Sequence, residues 1–300
     1  MSLYYKLSVD ESVERFRKLW AREAQDKVLV KIDIQDNIYY PHFTTMSAMS
    51  KVPDYEQVVD EWEKGFKADK DINDDNLPVA YGELGSYIIG GFLGANVRWA
   101  TGGAFPEKLI NDMKYYKEYL GFDIEENDYY KMHFNYIKYL SERAEGKFGF
   151  TEMFPIDGLN FLECVRHNDA YTDIYDYPKE AIDIMNFGSD FNISLIKTQR
   201  QLIKKYKDGR FNFYGIWTPN ETVFISVDAY GNCNPEIFEK FGRKYVQRMA
   251  NEFGGWLHLH TDSMSTMRLL SKYVTLKNLI AIGFDDWIEK PRAIENINAI

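Results

Sequence analysis

In the second half of the chain, short apolar runs and helical patterns take turns. FNFYGIW (Phe211–Trp217) and TVFISVD (Thr222–Asp228) read as strands. Pro235–Phe253 reads as a helix, with Pro235 in its first turn and Glu236 and Glu239 near its N-terminus. GGWLHLH (254–260) is again strand-like, Ser265–Tyr273 helical, and NLIAIGF (Asn278–Phe284) strand-like. Strands separated by helices in this way make βα units whose strands run parallel.

The first half has the same texture, less regularly. Val9–Ala24 carries Val13, Phe16, Leu19 and Trp20 at helical spacing, and Lys27–Gln35 alternates Val28, Val30, Ile32 and Ile34 like a strand. Tyr55–Lys70 predicts a polar helix. Leu77–Tyr87 and Lys147–Met153 read as strands with acidic ends at Glu83 and Glu152, and Val97–Ala100 as a short strand. Pro106–Tyr119, Tyr129–Gly146 and Lys179–Lys207 read as helical, the last behind Pro178. No linker and no repeat divides the 300 residues. The expectation is an α/β fold, a (β/α)8 barrel as one domain over 1–300, with an N-terminal helical extension of about 1–26. About six strands are convincing, so the expectation is a barrel lacking its last strand or strands, which either lie beyond Ile300 or are dispensed with in a shortened homologue that closes its barrel by other means.

Composition narrows the partners. The formal charge is −10 and Lys and Arg form no long block, which argues against nucleic acid. YIIGGFLG (Tyr87–Gly94), the longest apolar run, is too short and Gly-rich for a membrane span. The N-terminus lacks a signal pattern, and two cysteines without a Cys-x-x-Cys pair favour a reducing compartment. A cytoplasmic protein with a small-molecule substrate is expected, and a homodimer is compatible with it. Cys164 reads as core and Cys233 as a plain loop cysteine.

GGWLHLHTDSM (Gly254–Met264) holds two of the chain's five histidines. Residues two apart on a strand share a face, so His258 and His260 point the same way while Leu257 and Leu259 point the other. Two such imidazoles can ligate zinc or a related metal; the alternative is a pair of core histidines bonded to carboxylates or to ligand. Carboxylates fall at predicted strand ends: Glu83, Glu152, Asp228, Asp262 and Asp285. In a barrel such groups act as acids, bases or metal ligands, or they cap the next helix. Asp262, between Thr261 and Ser263 ahead of a helix, reads as a cap. Phosphate-binding glycine motifs and a nucleophile elbow are absent from the sequence.

Several segments, taken in order, resemble the superfamily of uroporphyrinogen decarboxylases and corrinoid-dependent methyltransferases. DDNLPVAYGELGSYIIGGFLGANVRW (Asp74–Trp99) resembles the decarboxylase strand that ends in an acidic residue and runs into a helix. YPKEAIDIMNF (Tyr177–Phe187) resembles a helix start of that family, and ISVDAYGNCNPEIFEKFGRKYVQRM (Ile225–Met249) its "D-x-x-g-x-x-S-P-e-x-f" segment. GGWLHLHTDSM falls where the methyltransferases carry His-x-Cys-Gly. The resemblance spans roughly Asp74–Trp287 and implies a (β/α)8 barrel.

On this resemblance Glu83 stands at the position of the decarboxylase's catalytic aspartate, and Asp228 in the segment lining the substrate cleft. His258 matches the methyltransferases' zinc-binding histidine, and His260 replaces the zinc-binding cysteine. The expected site, beyond what the resemblance matches, is Glu83 and Asp228 as catalytic groups, His258 and His260 with a carboxylate such as Glu83 or Glu152 as metal ligands, and Tyr81, Trp217 and Tyr230 against the substrate. The third ligand of the methyltransferases, a cysteine, is expected beyond Ile300. The implied activity moves a methyl group from a corrinoid protein to a thiol-type acceptor, with zinc in this chain and the corrinoid only on a partner. One alternative is a decarboxylase on a small carboxylate or tetrapyrrole. IQDNIYYPHF (Ile34–Phe43) has no arginine where the decarboxylases carry R-Q-A-G-R, so porphyrinogen itself is not expected. A second alternative is a non-catalytic ligand-binding homologue.

Overall fold

Helices and strands alternate as the sequence pattern predicts, but most strands are shorter than their apolar runs. The computed structural model describes residues 3–23, 28–32, 54–85, 87–100, 103–121, 123–219, 221–285 and 295. In chain order the elements begin with α1 (Val9–Trp20), α2 (Tyr55–Asp69), β1 (Val79–Ala80), α3 (Ile89–Phe92), β2 (Val97–Ala100) and β3 (Gly103–Pro106). Next come α4 (Asp128–Ala144), β4 (Gly149–Phe150), α5 (Gly158–Arg166), α6 (Ala170–Asp176) and α7 (Pro178–Leu202). The last are β5 (Gly209–Phe211), β6 (Trp217–Pro219), β7 (Val223–Ser226), α8 (Pro235–Ile237), α9 (Arg243–Glu252), β8 (Leu257–Asp262), α10 (Ser263–Tyr273) and β9 (Leu279–Asp285). No helix among the described residues is long and apolar enough to cross a membrane.

The chain groups into two compact units. The first comprises Met1–Glu107, Asp123–Met153 and Lys197–Asn220. In it, Val9, Val13 and Phe16 occupy one face of α1 and bury against Leu77, Val79, Phe211 and Trp217. Burying each large apolar side chain contributes roughly 1.5–3 kcal/mol. The Trp20 indole donates to the Trp217 carbonyl at 2.8 Å, and the Arg17 guanidinium lies 4.9 Å from the Trp217 ring centroid.

Strands β1 and β4 pair in parallel, Val79 opposite Gly149. The run Leu77–Tyr87 contributes only β1, because the Gly82 amide turns to donate to Thr151 Oγ1 at 3.2 Å. A Cβ on Gly82 would stand 1.9 Å from the Thr151 carbonyl oxygen, so this glycine is needed for close approach. Phe211–Trp217 is not one strand but the turn of an antiparallel hairpin between β5 and β6. Asn212 makes that turn: its side-chain oxygen accepts from the amides of Tyr214 and Ile216, and Gly215 takes a positive φ of 65°.

Two further expectations are corrected. The described part of Lys27–Gln35 is not a strand: the amides of Val30 and Ile32 donate to the carboxylates of Asp75 and Asp74 instead of to a neighbouring strand. Within Pro106–Tyr119, Pro106 ends β3, which pairs antiparallel with β2. Helical turns there begin only at Met113, where Asp112 caps a 3₁₀ segment to Tyr119 by accepting from the Lys114 amide. Ile34–Phe43 lies outside the described residues.

The second unit comprises Lys108–Phe122, Phe154–Ile196 and Glu221–Ile300. Its sheet is parallel, in the order β7-β8-β9, with β8 in the centre. Ile156 adds a parallel bridge to Ser226. A central parallel strand is covered on both faces, which explains why Leu257 through Thr261 are all buried despite two histidines among them. Pro235–Phe253 is helical nearly throughout, with a π-helical turn at Phe238–Gly242 between α8 and α9. The fold is α/β, as expected. Among the described residues the parallel pairings form a two-stranded and a three-stranded sheet, and these do not close into a ring.

Candidate metal centre

The β8 alternation sets the site. His258, His260 and Asp262 lie two residues apart on one face, while Leu257 and Leu259 fill the other. The register places Phe224 opposite His258 and Ser226 opposite His260 on β7. Two residues beyond Ser226, Asp228 opens a 3₁₀ turn over Asp228–Asn232.

Three of these side chains converge. One ligand atom each from Asp228, His260 and Asp262 lies within 4.8 Å of the others. His260 Nε2 is 3.3 Å from Asp228 Oδ2, and the Ser226 hydroxyl donates to that same oxygen at 2.6 Å. The other oxygen, Asp228 Oδ1, is buried with no hydrogen-bond partner. A buried carboxylate oxygen without a donor is costly, and a cation would satisfy it. One imidazole and two carboxylates make a borderline-to-hard donor set suited to a divalent metal. The residues therefore fit a metal ion.

Aromatic rings wall the site. Phe154 stacks on Phe224 at 4.9 Å between centroids and meets His260 edge-on at 5.1 Å; Phe224 meets His258 edge-on at 4.7 Å. Burial, with the neighbouring His260 adding to it, pulls His258 down from 6.5 to about 3, so the imidazole is neutral at physiological pH.

Behind the site lies a buried polar cluster. Asp157 caps α5, accepting from the amides of Leu159 at 2.6 Å and Asn160 at 3.3 Å. Burial first, with the charge of Asp228 adding, pushes Asp157 up from 3.8 to about 8, against the pull of those two amides. The Asn160 carboxamide donates toward Asp157 Oδ2, the Ser226 carbonyl and Ser226 Oγ, and accepts from the Ala229 amide at 3.1 Å.

The other expected site residues have these places. Tyr230, in the second unit, is fully buried, edge-on to Phe238 at 5.3 Å. Glu83, in the first unit, is 1% exposed; burial first, with Glu83 adding, raises the Tyr136 phenol. Tyr136 donates to the Tyr81 carbonyl at 2.6 Å, and the Tyr81 ring stacks on Phe213 at 4.4 Å. Trp217 is part of the core around α1. Glu152 pairs with Arg200 at 2.5 Å. Cys164 is core as expected, and burial pushes the Cys233 thiol up to about 11, away from thiolate chemistry.

Asp262 departs from its expected role. It occupies the N-cap position of α10, yet its side chain makes no capping hydrogen bond and turns to the His260 side instead. The spacing His258-x-His260-x-Asp262 carried that signal. Nothing comparable marked Asp157, Asn160 or Ser226, because their meeting depends on β7 lying beside β8.

No family model matches the chain, and no curated protein matches it by sequence. Among solved structures the chain is similar to "methyltransferase from Methanosarcina mazei", 10% identical in sequence with a TM-score of 0.60. The likeness covers 94% of this chain and 76% of that one, and at this identity it shows a shared fold.

Proposed function

We propose that this chain is a metal-dependent methyltransferase, built on the (β/α)8 barrel that the family resemblance implies. The observation that carries this reading is the convergence of Asp228, His260 and Asp262, one ligand atom each within 4.8 Å of the others, on a carboxylate whose Oδ1 has no hydrogen-bond partner. The likeness in fold to a methyltransferase supports the reaction class. Asp228, His260 and Asp262 would hold the cation; His258, expected as a ligand from the sequence, is not among the three side chains that converge. Nor is the expected Glu152, whose carboxylate is already engaged by Arg200.

A zinc-like ion, when bound, supplies a Lewis acid that lowers the pKa of a thiol acceptor. The chain's own part is to orient and to exclude water. Ser226 fixes one oxygen of Asp228, while Phe154 and Phe224 keep the His258 and His260 side of the site dry. A corrinoid held by a partner protein would supply the methyl group, and the acceptor thiol would take it up.

The test loads the protein with Zn²⁺, supplies methylcobalamin and a small thiol, and follows thioether formation by mass spectrometry. Transfer in the wild type and its loss in His260→Ala and Asp228→Ala are expected. Zinc-loaded wild type with no transfer to any of a panel of thiols contradicts the methyltransferase reading.

A further inference from the structure

We propose that Asn160 and Ser226 are positioning residues that leave Asp228 a single free ligand oxygen; this rests on the metal reading above. The chain of bonds has one direction. The Asn160 carboxamide nitrogen donates to Ser226 Oγ at 3.3 Å, and Ser226 Oγ donates to Asp228 Oδ2 at 2.6 Å. Each donor polarises the next, so the short last bond holds Oδ2 firmly. Asn160 is itself immobilised: it is 3% exposed, sits in the first turn of α5, and accepts from the Ala229 amide at 3.1 Å.

The consequence concerns the mode of binding. With Oδ2 occupied by Ser226 and faced by His260 Nε2 at 3.3 Å, only Oδ1 is left without a partner. Asp228 is thereby set to bind through one oxygen, which suits a small four-coordinate ion over a large ion that takes carboxylates bidentately. The Ala229 contact also ties Asn160 to the turn that carries Asp228, so the carboxylate and its holder move together. Groups holding a metal's ligands typically contribute about 10–100-fold in affinity.

Zinc affinity of the full chain, measured calorimetrically with Zn²⁺ as the only probe, tests this. Ser226→Ala and Asn160→Ala are each expected to weaken binding about 10–100-fold. Ser226→Thr, which keeps the hydroxyl, recovers most of the loss, and Asn160→Ala adds little in the Ser226→Ala background. Ca²⁺ is expected to bind the wild type weakly and to gain relative to Zn²⁺ in Ser226→Ala. A merely structural role lowers the melting temperature of these variants but leaves zinc affinity unchanged, and that result overturns the proposal while leaving the metal reading intact. If Asn160→Ala does not fold, the Ser226 pair decides alone. A wild type that binds no Zn²⁺ overturns the metal reading and this inference together.

Discussion

Asp262 lies two residues beyond His260 on the same face of β8, and its carboxylate and the imidazole come within 4.8 Å of each other and of Asp228. The position is that of a helix cap, but the capping bond is not made. The two roles separate experimentally, because asparagine caps a helix as well as aspartate yet is a poor metal ligand. Asp262→Asn is expected to melt within a degree or two of the wild type and to lose at least about 10-fold in zinc affinity. Equal zinc affinity in variant and wild type contradicts a ligand role.

Asp157 makes stability depend on pH in an unusual direction. Its carboxyl holds a proton in the folded chain up to about pH 8, whereas in the unfolded chain it ionises near 3.8. Between these values the folded state binds more protons, so this contribution is full below pH 3.8 and is lost as pH rises through 8. Asp157→Asn keeps the cap on α5 and removes the titration. Urea midpoints of variant and wild type are expected to diverge in the variant's favour from pH 5 to pH 9. Parallel curves contradict a protonated Asp157.

Two buried histidines act in the opposite sense. Burial pulls His133 down to about 4 and His258 to about 3, from 6.5 in the unfolded chain. The unfolded state then binds more protons in acid, so their contribution is present above pH 6.5 and is lost as pH falls toward 3. In the metal-free protein the ring-proton NMR signals of both are expected to stay fixed from pH 8 to pH 5. A midpoint near 6.5 for either contradicts its burial as a neutral imidazole.

Gly82 answers to backbone approach, not to chemistry at Glu83. With the Thr151 carbonyl oxygen 1.9 Å from where a Cβ would stand, Gly82→Ala must push β1 and the segment after β4 apart. A loss of about 1–3 kcal/mol in urea unfolding is expected, typical of forced overpacking. An unchanged midpoint contradicts the close approach.

The sequence made the α/β class and much of the second half legible. β7, β8, β9, α10 and the long α7 all fall within or close to their apolar runs. Errors came where side chains take over backbone bonding: Asn212 turned an apparent strand into a hairpin, and Asp74 and Asp75 capture the amides of Val30 and Ile32. Periodicity reports which face is apolar, but not which polar group will satisfy an amide.

The site was legible in part. His258 and His260 share a face because strand geometry requires it, and Asp262 follows by the same period. That Asp228 joins them depends on β7 pairing with β8 in one register, Ser226 opposite His260, which no single segment encodes. The Asn160–Ser226–Asp228 chain needs a third element, α5, and spans 68 residues from Asn160 to Asp228, so local pattern carries no trace of it.

Metal stoichiometry tests whether Asp228, His260 and Asp262 form a metal centre. Protein stripped with a chelator, equilibrated with Zn²⁺ and freed of excess is expected to retain one ion per chain by elemental analysis. His260→Ala and Asp228→Ala, folded by circular dichroism, are expected to retain almost none. A wild type that keeps no metal, or variants that keep as much as the wild type, contradicts a metal centre at Asp228, His260 and Asp262.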